Sequence, residues 1–258
     1  MKILLLEPAD CDPAAAAKIT TIRRILAQLG HQVIEQDFND GFFSRLVDEK
    51  PQVVFNLASV YSWEKTAYLP AILEIAGARY TGSGFLTLTL LRHPAKLLPL
   101  LEKTGIHIPP YRIIKAGEPA PAGSLRFPLS ILQEDRQTGV VVASAIELQR
   151  ALQAIPPQEE LVLREIHGND VVHVFILDTQ IFPREAPPSL LQPALNAYHL
   201  VEARGLARFD FLLAGEPLLA AIDAAPDPLD EGFVKAAASA GLDETAIIRM
   251  MIAQAGSD

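Results

Sequence analysis

The sequence predicts an α/β fold. Short apolar runs such as KILLL (2–6) and VVF (53–55) alternate with segments whose apolar residues recur at helical spacing. Proline pairs, Pro109-Pro110, Pro156-Pro157 and Pro187-Pro188, punctuate the alternation and mark loops. Half of the 258 residues are hydrophobic, enough to build one large or two to three small subdomains.

The first 85 residues carry the clearest pattern. Residues 2–6 read as a buried strand. Residues 14–29 read as a helix, with Ile19, Ile22, Ile25, Leu26 and Leu29 on one face and Gly30 as its stop. HQVIEQDF is a second strand, 40–48 a short helix, and PQVVFNLA a third strand whose continuous apolar run suits a parallel sheet. A helix around PAILEIAG follows. This β-α-β-α-β order predicts a doubly wound, Rossmann-like unit over 1–85. The first strand runs into EPADCDP rather than GxGxxG, which argues against a dinucleotide site there.

Beyond it, 86–105 reads as one helix ending at Gly105, and IHIPPYRII as a short strand. LRFPLSILQ and VVVAS read as strands around the polar loop EDRQTG, followed by a helix that Ser144 caps with Glu147 three residues on. ELVLREIHGND and further strands lead to a Pro-rich connection at 183–193, a helix over about 192–203, a hairpin at 208–226, and helix over 231–255. The subdomains expected are 1–85, a central lobe 86–160 and a C-terminal lobe 161–258.

A net charge of −9 argues against a nucleic-acid partner, because phosphate backbones select basic faces. No apolar run approaches the ~18 residues that a membrane helix needs. MKILLLEPAD reads as a strand rather than a secretory signal, and the single cysteine, Cys11, fits a reducing, cytoplasmic compartment. Cys11 lies between Asp10 and an acidic neighbour, Asp12, which argues against a reactive thiolate. The six histidines lack HxH or HxxxH spacing and read as structural or solvent-facing. Trp63 reads as packing near a cleft.

The hairpin RFDFLLAGEPLLAAIDAAP, 208–226, concentrates the chemistry. Strand alternation puts Arg208 and Asp210 on one face and Phe209 and Phe211 on the other. A turn at AGEP that pairs Leu212 with Leu219 sets Arg208 opposite Asp223 and Asp210 opposite Ala221. The other face, with Leu218, Ala220 and Ile222, is apolar. Two carboxylates and an arginine so placed suit magnesium and a nucleotide phosphate. The same spacing equally suits a cross-strand ion pair.

In order along the chain, VVFNLA (53–58), PAILEIAGARYTGSG (70–84), LLEKTGIHIPPYRII (100–114), FPLSIL (127–132), LVLREIHGND (161–170) and RGLARFDFLLAGEPLLAAIDAAP (204–226) resemble the D-alanine–D-alanine ligase family of ATP-grasp enzymes. The resemblance implies an ATP-grasp fold, with a Rossmann-like N-terminal domain and two α+β lobes clamping a nucleotide cleft. It implies ATP and Mg2+ as cofactors, a small amino-acid-like substrate, and a homodimer or protein partner. It assigns Arg208 to the transferring phosphoryl group, Asp210 and Asp223 to magnesium, Leu163, Arg164, Glu165 and Ile166 to the adenine hinge, and Asp170 to the ribose.

The sequence also departs from the family pattern. Ala221 stands where the family has a metal-bridging glutamate. Pro94 and Leu132 stand where the family has two lysines on the ATP phosphates. Lys96 is two residues from the first, a rotation of ~200° around a helix. EDRQTG replaces a Gly/Ser-rich phosphate loop, EPADCDPAAAA replaces the substrate loop, and PREAPPSLLQP is short for the loop that closes over substrate. Glu64 aligns loosely with a family acid. These departures imply a protein that has lost ligase turnover and serves in binding or interaction; the alternative is an active ATP- and magnesium-dependent carboxylate–amine ligase.

Overall fold

The computed structural model of the chain describes residues 1–62, 67–118, 124–134, 139–168 and 170–255. The first sheet holds β1 (Lys2–Glu7), β2 (Gln32–Asp37) and β3 (Val53–Asn56) in the order β2-β1-β3, all parallel. Strand alternation sends Ile3 and Leu5 to one core and Leu4 and Leu6 to another, so both faces of β1 are buried. Helix α1 (Pro13–Gln28) covers the first face through Ile19, Ile22, Ile25 and Leu26. Asp12 caps it by accepting from the Ala15 N–H, and Pro13 sits where a missing N–H costs nothing. On the other face lie α2 (Phe42–Glu49) and, after a short α3 (Ala58–Tyr61), α4 (Tyr68–Ile75).

The segment read as one helix over 86–105 is two helices, α5 (Phe85–Leu91) and α6 (Pro94–Lys103). Pro94 opens the second, where its ring fits a first turn and would block an interior position. The central sheet has the order β4-β7-β5-β6, from β4 (Tyr111–Lys115), β5 (Leu129–Gln133), β6 (Val140–Val142) and β7 (Glu160–Glu165). β4 begins after Pro109-Pro110 instead of spanning them, and β5 begins after Pro128, because proline donates no ladder hydrogen bond. β7, which the sequence reading assigns to the C-terminal lobe, pairs with β4 and β5 in this sheet. Helix α7 (Ala145–Gln153) closes its outer face, capped by Ser144 accepting from the Glu147 N–H.

The third sheet, β11-β10-β8-β9, is antiparallel and comprises β8 (Val171–Leu177), β9 (Gln180–Phe182), β10 (Leu206–Ala214) and β11 (Glu216–Asp223). Helix α8 (Pro188–Leu200) starts inside the Pro-rich stretch read as a connection, with Pro188 in its first turn. The C-terminal segment is two helices, α9 (Glu231–Ser239) and α10 (Glu244–Gln254), parted by Gly241 at φ 83°. The helix α10 residues Ile247, Ile248, Met251 and Ile252 share a core with α1 and β1, which ties the end of the chain to its first sheet. Phe209 and Phe211 are fully buried, each contributing about 1.5–3 kcal/mol by leaving water. Among the described residues no helix is long and apolar enough to cross a membrane.

Candidate functional site

The hairpin register is the one expected at its functional end. Arg208 pairs with Asp223 and Asp210 with Ala221. Past that point a bulge intervenes: Phe211 pairs with Leu219 and Leu212 with Leu218, leaving Ala220 as the extra residue. The bulge changes which side chains face inward. Leu219, at 2% exposure, enters the core, whereas Leu218 and Ala220 are half-buried.

Arg208 is the hub of the polar face. Its Nε lies 3.1 Å from Asp210 Oδ1 and its Nη2 lies 3.7 Å from Asp223 Oδ2. Asp210 Oδ1 also lies 2.8 Å from His173 Nδ1 on β8. Asp223 accepts from the Ala225 N–H at 3.0 Å. Loss of hydration in the cleft, with Asp210 and Asp230 nearby, pushes the Asp223 carboxyl up; the Ala225 hydrogen bond and Arg208 only partly oppose this. Among the described residues, no three His, Cys, Asp or Glu side chains gather in a metal-binding group.

Arg208 and Asp223 border a cavity of about 560 Å3 between the central and C-terminal sheets. One wall is apolar, built from Leu88, Leu91, Pro94, Leu97, Leu98 and Leu132, while Ser59, Tyr61 and Gln133 add polar groups to the lining. Its charged lining among the described residues is Arg92, Arg164 and Arg208 against the single carboxylate of Asp223. Asp210 sits just behind, engaged by His173 and Arg208. Tyr61 also lines it and donates to Asp227 Oδ1 at 2.9 Å, while Lys18 donates to Asp227 Oδ2 at 2.6 Å. Burial and the Asp227 carboxylate push the Tyr61 hydroxyl up.

The hinge residues divide between the two faces of β7. Leu161 and Leu163 face α7 in the central core, and Leu163 is 1% exposed. Arg164 faces the cavity, as alternation requires, and donates Nη1–H to the Ala220 carbonyl at 2.6 Å. Loss of hydration pulls its pKa down, yet a guanidinium stays charged. Glu165 is buried, accepts from the Arg126 N–H at 2.8 Å and lies 3.0 Å from His167 Nε2. The backbone donors are engaged as well: Glu165 N–H bonds Pro110 O at 2.9 Å and Ile166 N–H bonds Pro128 O at 3.0 Å. Asp170 is exposed and does not line the cavity.

Both positions expected to hold lysines, Pro94 and Leu132, line the cavity. Lys96 turns away to Glu160 Oε2 at 3.0 Å, and neither Lys96 nor Lys103 lines the cavity. Trp63, Glu64 and residues 135–138 of EDRQTG lie outside the described residues. Arg92 and the side chain of Arg164 were not singled out from the sequence. The period-two pattern of LVLRE, with Arg164 on the face of Val162, was a signal for the second; Arg92, at a helix end beside the Tyr68 ring at 5.9 Å, had none.

No protein-family model matches the chain. The D-alanine–D-alanine ligase of Moorella thermoacetica is 26% identical, over 90% of this chain and 91% of that protein. The D-alanine–D-alanine ligase of Novosphingobium aromaticivorans is 23% identical, over 92% and 90%. A crystal structure of the Bacillus anthracis D-alanine–D-alanine ligase complexed with ATP superposes with a TM-score of 0.83, at 16% identity, over 99% of this chain and 97% of that one. A second crystal structure of that ligase gives 0.78 at 15% identity. Similarity over nine-tenths of the chain, with a shared architecture along its length, gives the chain the ATP-grasp fold and a sequence similar to D-alanine–D-alanine ligases.

Proposed function

We propose that this protein is a binding or interaction protein built on the ligase fold, taking a nucleotide or another small molecule in its cleft without normal ligase turnover. The observation that carries this reading is the lining of the cavity by Pro94 and Leu132. The family resemblance calls for phosphate-binding lysines at these two positions, and neither side chain carries charge. The metal side points the same way. Asp210 and Asp223 are both paired with Arg208, and Ala221 supplies no third carboxylate. Among the described lining residues, three guanidinium groups against one carboxylate match an anion better than a divalent cation, which takes oxygen ligands.

A second reading, an active ATP- and magnesium-dependent carboxylate–amine ligase working through an acyl phosphate, is favoured by one observation. Arg208, Asp210 and Asp223 share one hairpin face in the register that the resemblance requires. Under that reading Arg208 contacts the transferring phosphoryl group, Asp210 and Asp223 hold magnesium, the 163–166 hinge meets adenine and Asp170 the ribose.

Calorimetric titration with a non-hydrolysable ATP analogue, with and without magnesium, together with a phosphate-release assay on ATP, magnesium and D-alanine, separates the two. Nucleotide binding without release supports the binding protein. Release that depends on the amino acid supports the ligase. No heat at millimolar nucleotide removes the nucleotide and turns the search to other small molecules and protein partners.

A further inference from the structure

We infer that the cleft binds an organic oxyanion with an apolar body, held directly on guanidinium groups without a metal ion. The inference rests on the reading of a cleft without ligase turnover. Its first support is charge placement. The chain as a whole carries −9, yet among the described residues the cavity lining brings Arg164 and Arg208 together beside the carboxylate of Asp223. A half-buried guanidinium held away from acids is an unusual arrangement, because removing an ion from water is costly unless it is paired. Arg208 has its acids, Asp210 and Asp223. Arg164 has no carboxylate within ion-pair distance among the described residues; its partner is the Ala220 carbonyl. One bond leaves most of its five N–H donors for a ligand, in the planar fork that matches a carboxylate or phosphate.

The second support is the wall. Leu88, Leu91, Leu97, Leu98 and Leu132 form a continuous alkyl wall for the body of the ligand, with Ser59, Tyr61 and Gln133 elsewhere in the lining. The volume of about 560 Å3 falls inside the range of roughly 300–1,000 Å3 usual for small-molecule sites. Carboxylates and phosphate monoesters share the required chemistry: a delocalised negative head on an apolar chain.

The test is calorimetric titration of the full chain, in the presence of EDTA, with octanoate and with octyl phosphate, and with butyrate and hexanoate as shorter bodies. Micromolar binding of at least one eight-carbon probe is expected, weakening about threefold to fourfold for each methylene removed. Arg164→Met should weaken it about tenfold or more, and Asp223→Asn, which removes the opposing carboxylate, should strengthen it several-fold. Should Arg164→Met fail to fold by circular dichroism, Arg208→Gln carries the same expectation of weaker binding. Tighter octanoate than octyl phosphate assigns a carboxylate head, the reverse order a phosphate head, and either supports the inference. It is overturned by no heat from either probe at millimolar concentration, by binding that ignores chain length, or by binding that folded arginine variants leave unchanged. Phosphate release from magnesium-ATP with D-alanine would instead overturn the underlying reading, so the two failures are told apart.

Discussion

Arg164 donates to the carbonyl of Ala220 at 2.6 Å, so a guanidinium of the central sheet clasps the bulge of the C-terminal hairpin. The two residues are 56 apart in sequence and lie on facing sheets across the cleft. Ala220 is free to turn its carbonyl toward Arg164 because it is the extra residue of the bulge and has no partner opposite it. Replacing Arg164 by alanine should cost about 1–3 kcal/mol in urea denaturation, the usual range for losing a charged hydrogen bond and the packing of the stem. Arg164→Met keeps much of the packing and should recover part of that loss. Equal stability of the alanine variant and the parent would show that the clasp contributes nothing.

Asp223 makes the protein's stability depend on pH in a defined direction. Its pKa is raised in the folded protein, chiefly by partial loss of hydration, so the folded state holds its proton more tightly than the unfolded state does. Below about pH 4, the ordinary aspartate value, the carboxyl is protonated in both states and no penalty exists. As pH rises through the raised folded value, a charge forms that is only partly hydrated, and stability falls modestly because the side chain keeps 39% exposure. Asp223→Asn should therefore be more stable than the parent at neutral pH, with the difference vanishing in acid. Melting temperatures of both proteins from pH 3.5 to 8 are the check, and an asparagine variant less stable at pH 7 would mean that the Arg208 ion pair outweighs burial.

Much of this site was legible in the sequence, because β-strands report their faces through a period of two. Alternation gave the buried face of Phe209 and Phe211, and the turn placed at AGEP gave the pairing of Arg208 with Asp223, although Leu212 pairs with Leu218 rather than Leu219. The bulge at Ala220 left no mark: LLAAID contains no glycine or proline to announce an extra residue, and a shift by one moved Leu219 rather than Leu218 into the core. The break between α5 and α6 was marked by Pro94, whose preference for a first helical turn is local chemistry; reading 86–105 as continuous overlooked it. The place of β7 in the central sheet depends on pairings with strands about 30 and 50 residues earlier, which no local pattern encodes.

Gly139 marks a close approach. A Cβ there would lie 2.2 Å from Ser130 Oγ, 2.8 Å from Leu132 Cδ2 and 3.0 Å from the Ile131 carbonyl. The Ser130 hydroxyl can rotate away, but the Ile131 backbone is fixed in the β5–β6 ladder. Gly139→Ala should cost about 1–3 kcal/mol as an overpacking change. Combining it with Ser130→Ala removes the nearest clash and should restore part of the loss in chemical denaturation. A Gly139→Ala protein as stable as the parent would mean that this strand start shifts freely.

Restoring charge at Pro94 and Leu132 tests the functional reading most directly. Both positions line the cavity, so a lysine at either place extends toward the same space as Arg164 and Arg208. Leu132 packs against the core of the third sheet, so Leu132→Lys should lower stability by about 1–3 kcal/mol through lost packing and partial burial of the amine. Pro94→Lys should cost less, since the first helical turn accepts either residue. If these two positions are what separates the cleft from a nucleotide site, the double variant should bind a non-hydrolysable ATP analogue about tenfold or more tightly than the parent, with the gain falling as salt is raised. If affinity is unchanged in a folded double variant, triphosphate does not lie against α6 and β5. The acids at Asp210 and Asp223 would then have no nucleotide-bound metal to share, and the cleft would be left to its arginines.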